Sequence, residues 1–138
     1  MPLLLKSKTK MNALERKRTR DMPDVLLDPL AGVGRITGEM YGAEIDELFE
    51  SVEHWLRDYS ALNRSFLLEI NTTYFNTSAS KSLATVIQLF NQFQLYGEAG
   101  TEWVMRIIYS AQDEDIYENW QDILPDVVTF PLTFHATE

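Results

Sequence analysis

Between Asn71 and Leu83 the spacing of apolar residues changes from alternate positions to helical spacing, so the chain must pass there from a strand into a helix. Before the change, Arg64 to Asn71 reads as a strand, with Phe66, Leu68 and Ile70 alternating with Leu67, Glu69 and Asn71. After it, Leu83, Val86, Ile87, Phe90 and Phe93 share one helical face. The turn between them is Tyr74-Phe75-Asn76-Thr77-Ser78-Ala79-Ser80-Lys81, and Asn76, Thr77 and Ser78 are all favoured helix N-caps. No Asp or Glu occurs from Tyr74 through Gly97. A helix start with free N–H groups, hydroxyls and no carboxylate can accept added negative charge, and Lys81 in its first turn could partner an anion. An ordinary capped helix would look the same in sequence.

Elsewhere the pattern alternates between short strands and helices. Leu14 to Thr19 reads as an edge strand. Val25-Leu26-Leu27 and Arg35-Ile36-Thr37 form a hairpin through Asp28-Pro29 and the Gly32/Gly34 turn. Ile45, Leu48, Phe49, Val52, Trp55, Leu56 and Tyr59 make one apolar helix face opposite Asp46, Glu47, Glu50, Glu53 and Arg57. Gly97 and Gly100 end the second helix, and Thr101 to Tyr109 is the next strand. Asp113-Glu114-Asp115 opens a third helix that reaches about Leu124 before Pro125. Val127 to Phe134 closes the chain as a strand, at a sheet edge because Pro131 lies within it. The expected fold is an α/β (α+β) single domain, a mixed sheet packed by helices.

Charge divides the chain into two parts. Residues 1–20 hold seven Lys/Arg against Glu15, whereas residues 21–138 hold five against twenty acids. Residues 1–12 are therefore expected to form a basic, flexible tail and residues 13–138 the folded domain. The acidic body excludes a nucleic-acid-binding face. The absence of Cys excludes disulfides and thiolate chemistry, no stretch suffices for a membrane span, and a cytoplasmic location follows by default. His54 and His135 lack neighbours that would make them catalytic or metal-binding, so surface or boundary packing is expected for both. Asp113-Glu114-Asp115 could hold a divalent cation or simply favour a helix start. Trp55, Phe90, Phe93 and Trp103 fall on periodic faces, and read as core. The chain is expected to have no catalytic activity, no cofactor and no metal.

The turn Tyr74–Lys81 resembles the Tyr-hydrophobic-Asn-Thr-Ser-Ser-Ser-Lys signature of the SiaC family of bacterial regulatory phosphoproteins. Met22-Pro23-Asp24-Val25, the Gly34–Tyr41 stretch ahead of an acidic helix with Trp55, and Tyr109–Asp115 agree in order, so that the likeness spans about residues 14–134. The resemblance implies a fold similar to the STAS-like anti-sigma-factor antagonists, with residues 13–138 as a regulatory domain. It implies partner switching: a Ser/Thr kinase with a histidine-kinase-like ATPase fold phosphorylates the signature Thr, here Thr77, and a Ser/Thr phosphatase reverses it. The unmodified form would bind and stimulate a diguanylate cyclase in c-di-GMP and biofilm signalling, with Tyr74, Asn76, Ser78, Ser80 and Lys81 in partner binding. A sigma-factor switch, or a small-molecule or metal-binding domain built on the Asp113 cluster, are the alternatives. The chain departs from the family pattern at Met40 and Gly42, where Ser and Pro are usual, at Ala79 in place of a common Ser, and at Trp120, where smaller residues are usual.

Overall fold

Alternation along Phe66–Asn71 sends Phe66, Leu68 and Ile70 to a buried face and leaves Leu67 and Glu69 half-exposed on the other, and the neighbouring strands repeat this division. The computed structural model describes residues 11–138. The elements are β1 (Leu14–Arg16), β2 (Asp24–Asp28), β3 (Val33–Thr37), α1 (Ile45–Ser60), β4 (Phe66–Asn71), α2 (Thr77–Tyr96), β5 (Trp103–Ser110), α3 (Glu114–Ile123) and β6 (Leu132–Thr137). The six strands lie in chain order across one sheet. β1, β2 and β3 are antiparallel, while β3 through β6 run parallel, each parallel pair joined through a helix.

The helices enclose one continuous core. α1 buries all seven residues of its expected apolar face. Each such side chain contributes ~1.5–3 kcal/mol of transfer free energy, enough to hold a helix that carries acids along its outer surface. Trp55 stacks on Tyr59 with ring centroids 5.3 Å apart, and Phe66, Trp103, Phe90 and Phe93 extend the aromatic contacts across to α2. Trp55, Phe90 and Trp103 are core, as their spacing indicates, whereas Phe93 is only partly buried against it. On the opposite sheet face, Glu69 lies between Arg35 and Arg106 in register, at 3.8 and 4.0 Å.

Several expected boundaries move, that of β5 to Trp103 from Thr101. β1 ends at Arg16 because the Thr19 side chain and main chain close a turn with Met22. β4 begins at Phe66, after Asn63 takes a positive φ of 54°. The last strand is β6, Leu132–Thr137, rather than Val127–Phe134. Asn91 of α2 captures the preceding segment: its amide donates to the Val127 carbonyl at 3.0 Å and its Oδ1 accepts from the Thr129 N–H at 2.7 Å. Phe130 is then buried against Phe90, and pairing starts only at the Pro131 carbonyl. β6 lies at a sheet edge as expected, and His135 lies exposed within it, where its ring meets Thr133 Oγ1 at 2.9 Å.

Ten of the twelve residues of the expected tail lie outside the described residues. Met11 packs against the core, and the Asn12 carbonyl accepts a 2.8 Å hydrogen bond from the Trp55 indole. Among the described residues no helix is long and apolar enough to cross a membrane.

Candidate functional site

The strand-to-helix turn is held from both sides. After β3, Gly38 takes a φ of 127°, which only glycine adopts readily, and donates to the Asn71 carbonyl at 2.9 Å. The chain then runs alongside the signature. Met40 N–H donates to the Tyr74 carbonyl at 2.9 Å, and Asn76 N–H donates to the Met40 carbonyl at 3.0 Å. Met40 is fully buried, so the residue that replaces the family's Ser is a core side chain. Gly42, in place of the family's Pro, donates its N–H to the Asp21 carbonyl at 2.9 Å, a bond that proline cannot make. Buried Thr72 bonds through its hydroxyl to the carbonyl of Tyr74, and Thr73 bonds to Glu39.

Asn76 is the N-cap of α2. Its Oδ1 accepts from Ala79 N–H at 2.9 Å, and its carbonyl accepts from Ser80 N–H at 2.8 Å. Thr77 is therefore the first helical residue, exposed, and its hydroxyl makes no hydrogen bond among the described residues. Ser80 Oγ is turned back to the Thr77 carbonyl at 2.7 Å. Ala79 is fully buried, so a Ser there would have to bury its hydroxyl. Ser78 and Lys81 are exposed on neighbouring positions of the first turn. Tyr74 is exposed and makes an edge-to-face contact with Tyr41 at 5.9 Å.

Thr77 opens on a groove of about 220 Å³ between the start of α2 and the end of α3. Phe75, Asn76, Thr77 and Ser80 form one wall, and Asn119, Asp122 and Ile123 form the other. Beneath it, fully buried Trp120 meets Phe75 edge to face at 5.1 Å. The structure thus brings Asn76, Thr77 and Ser80 together, with Asn76 committed to the cap and Tyr74, Ser78 and Lys81 outside the groove lining. Sequence reasoning missed Tyr41, Asn119 and Asp122. The α2 start has no acid in its own first turn, but Asp122 approaches it from another helix, which no local pattern reveals.

The other candidates take structural places. Asp113 caps α3 by accepting from Ile116 N–H at 3.2 Å, and among the described residues no three His, Asp or Glu side chains converge on a metal position. His54 is exposed on α1, 3.5 Å from Asp58 one turn later.

Residues 16–137 match the model of a family described as SiaC family regulatory phosphoprotein. The chain belongs to the SiaC family. Its role is accordingly regulatory rather than catalytic. The fold is similar to apo-SiaC from Pseudomonas aeruginosa, with 24% identity and a TM-score of 0.78 over 91% of this chain and 100% of that one. It is also similar to SiaC of the same organism in complex with the diguanylate cyclase SiaD, of which that SiaC is the activator. There the identity is 25% and the TM-score 0.81, over 90% of this chain and 99% of that one. A search of curated proteins found no match.

Proposed function

We propose that this SiaC family member is a cytoplasmic partner switch whose phosphoacceptor is Thr77 and whose unmodified form binds and stimulates a diguanylate cyclase. The observation that carries this reading is the position of Thr77. It is an exposed hydroxyl on the first residue of a 20-residue helix, beside the N–H groups of the first turn and without an acid in that turn. A phosphate there adds about −1.5 to −2 charges. The helix N-terminus offsets it by up to ~2 kcal/mol, so the fold survives modification. A Ser/Thr kinase with a histidine-kinase-like ATPase fold would add the phosphate and a Ser/Thr phosphatase would remove it. The relative that activates the cyclase SiaD supports a cyclase as the target.

The partner surface in this reading is Tyr74, Ser78, Ser80 and Lys81 around Thr77, with Asn76 holding the helix start. A partner packed over Thr77 would have to desolvate a dianion, and an unpaired buried charge costs several kcal/mol. At about 1.4 kcal/mol per decade this lowers affinity by more than about a hundredfold. The test is titration of the cyclase against unmodified, phosphorylated, Thr77→Ala and Thr77→Glu protein, with circular dichroism to confirm folding. Thr77→Ala is expected to bind as the unmodified protein does, and Thr77→Glu to weaken binding only partly. Equal binding by the phosphorylated and Ala forms, or phosphate located by mass spectrometry on Ser78 or Ser80, overturns the assignment.

A further inference from the structure

The two edges of the sheet are built differently. β1 is three residues long, carries exposed Glu15 and Arg16, and turns away at Thr19. Short length and charge are the usual means of keeping an edge from pairing with another chain. β6 has neither: it is six residues long and contains no Lys, Arg, Asp, Glu or Pro from Leu132 to Thr137. Its bonds to β5 begin with Met105 N–H to the Pro131 carbonyl and end with Ala111 N–H to the Thr137 carbonyl. In a parallel ladder of that register the odd-numbered residues of β6 face β5. The N–H and C=O groups of Leu132, Phe134 and Ala136 therefore point outward, and among the described residues no seventh strand meets them.

A groove of about 300 Å³ lies beside this edge, lined by Tyr109, Ala111, Glu114, Tyr117, Glu118 and Ala136. α3 forms its wall. Tyr117 is exposed, with its ring 5.3 Å from both Tyr109 and Phe134. The only charged residues in the lining are Glu114 and Glu118, one helical turn apart. A free strand edge beside a helix with an aromatic ring between them is the geometry by which domains take up an extended peptide as an added strand. Main-chain bonds would supply affinity, and every second side chain of the added strand would fall on the α3 side, against Tyr117 and the two glutamates.

We propose that the β6 edge and the groove under α3 form a docking site for an extended segment of a partner protein that carries Lys or Arg at alternate positions, added as a seventh strand. Charge complementarity selects that occupant: the groove is acidic, and residues 21–138 hold twenty acids against five basic residues, so an acidic peptide, or this acidic body in a second copy, would be repelled. The site is separate from the Thr77 groove and does not depend on its role.

The test uses the full chain and a labelled, end-capped peptide of about seven residues, the length of a typical strand, alternating Lys and Val. Fluorescence anisotropy at low salt is expected to show saturable binding that weakens as salt rises. Ala136→Pro removes one outward N–H and leaves the β5 ladder intact, as edge positions allow, and is expected to weaken binding by about tenfold or more. The double variant Glu114→Lys/Glu118→Lys is expected to lose the Lys peptide to a similar extent and to gain a Glu-Val counterpart. A peptide N-methylated on the alternate amides that would face β6 cannot pair, and is expected not to bind, which tests the mode without altering the protein. Absence of saturable binding, equal binding of the N-methylated peptide, or indifference to both protein changes would overturn the proposal. So would a dimer in sedimentation that Ala136→Pro dissolves, because the edge would then belong to a second copy.

Discussion

Trp120 offers a direct measure of what supports the Thr77 turn. It is fully buried, and its indole N–H is without a hydrogen-bond partner among the described residues. α3 buries only this residue and Ile116, so Trp120 is the main anchor of the helix whose end forms one wall of the groove. Trp120→Ala removes the anchor and leaves a cavity, a loss of ~3–5 kcal/mol in comparable cores. For a domain of this size that lowers the melting temperature by about 10 to 20 °C. Trp120→Phe sets two opposite effects against each other. The smaller ring forfeits roughly three carbon-sized groups, ~2 kcal/mol of burial. It also removes a buried donor without a partner, which relieves ~1–3 kcal/mol of desolvation cost. The net change is therefore expected within about 1 kcal/mol of zero, with the edge-to-face contact to Phe75 retained. Urea denaturation followed by circular dichroism, with equal m-values across the three proteins, gives both numbers. If Trp120→Phe is as destabilising as Trp120→Ala, the indole N–H is satisfied in the folded protein and this reasoning fails.

Three further changes test the site and its surroundings. Asn76→Ala removes the cap on Ala79 N–H and is expected to cost ~1 kcal/mol, whereas Asn76→Asp retains an acceptor and holds stability near wild type; thermal melts of the pair distinguish a cap from a partner contact. Burial raises the Glu53 carboxyl above its ordinary pKa, with Arg57 lowering it and Glu50 raising it. A raised carboxyl binds protons better in the folded state, so its ionisation opposes folding as pH rises through the carboxylate range. Glu53→Gln is therefore expected to gain stability relative to wild type between pH 4 and 7 and not below it, within a surface-scale change of about 0.5 kcal/mol, read from melting temperatures across that range. Asp122→Asn is expected to leave the unmodified protein unchanged and to raise the stability of the Thr77-phosphorylated form by on the order of 1 kcal/mol, the scale of like-charge repulsion across a solvated groove, read from melting temperatures of the phosphorylated pair.

The sheet and its helices were legible wherever periodicity was strong. The α1 face, the change of period into α2 and the Asp113 start of α3 all stand where their patterns put them. The last strand was misplaced because Val127 to Phe130 has strand-like composition while Asn91, thirty-six residues earlier, bonds its backbone elsewhere. Pro131 within the segment points to an edge, where β6 does lie, but it also marks where pairing begins. At the candidate site the local sequence offers Asn76, Thr77 and Ser78 alike as caps, and it is the structure that gives the cap to Asn76 and makes Thr77 the first helical residue. Tyr41, Asn119 and Asp122 were not visible, because the loop after β3 and the end of α3 reach the turn only through the fold.

That difference changes the charge argument at Thr77. Sequence shows a stretch of more than twenty residues without an acid, which suggests a site open to a phosphate. In the fold, one wall of the same groove carries Asp122, and Lys81 is on the same helix but outside the groove lining. A phosphate on Thr77 would therefore gain from the helix N-terminus, by up to ~2 kcal/mol, and lose roughly 1 kcal/mol to Asp122. These contributions oppose each other and leave a net of no more than about 1 kcal/mol, so modification would neither lock nor unfold the domain. A switch that leaves its own fold almost unchanged has to act on what covers it. On the proposed assignment, phosphorylation of the exposed Thr77 would act through the cost of burying a dianion against a partner rather than through a rearrangement of α2.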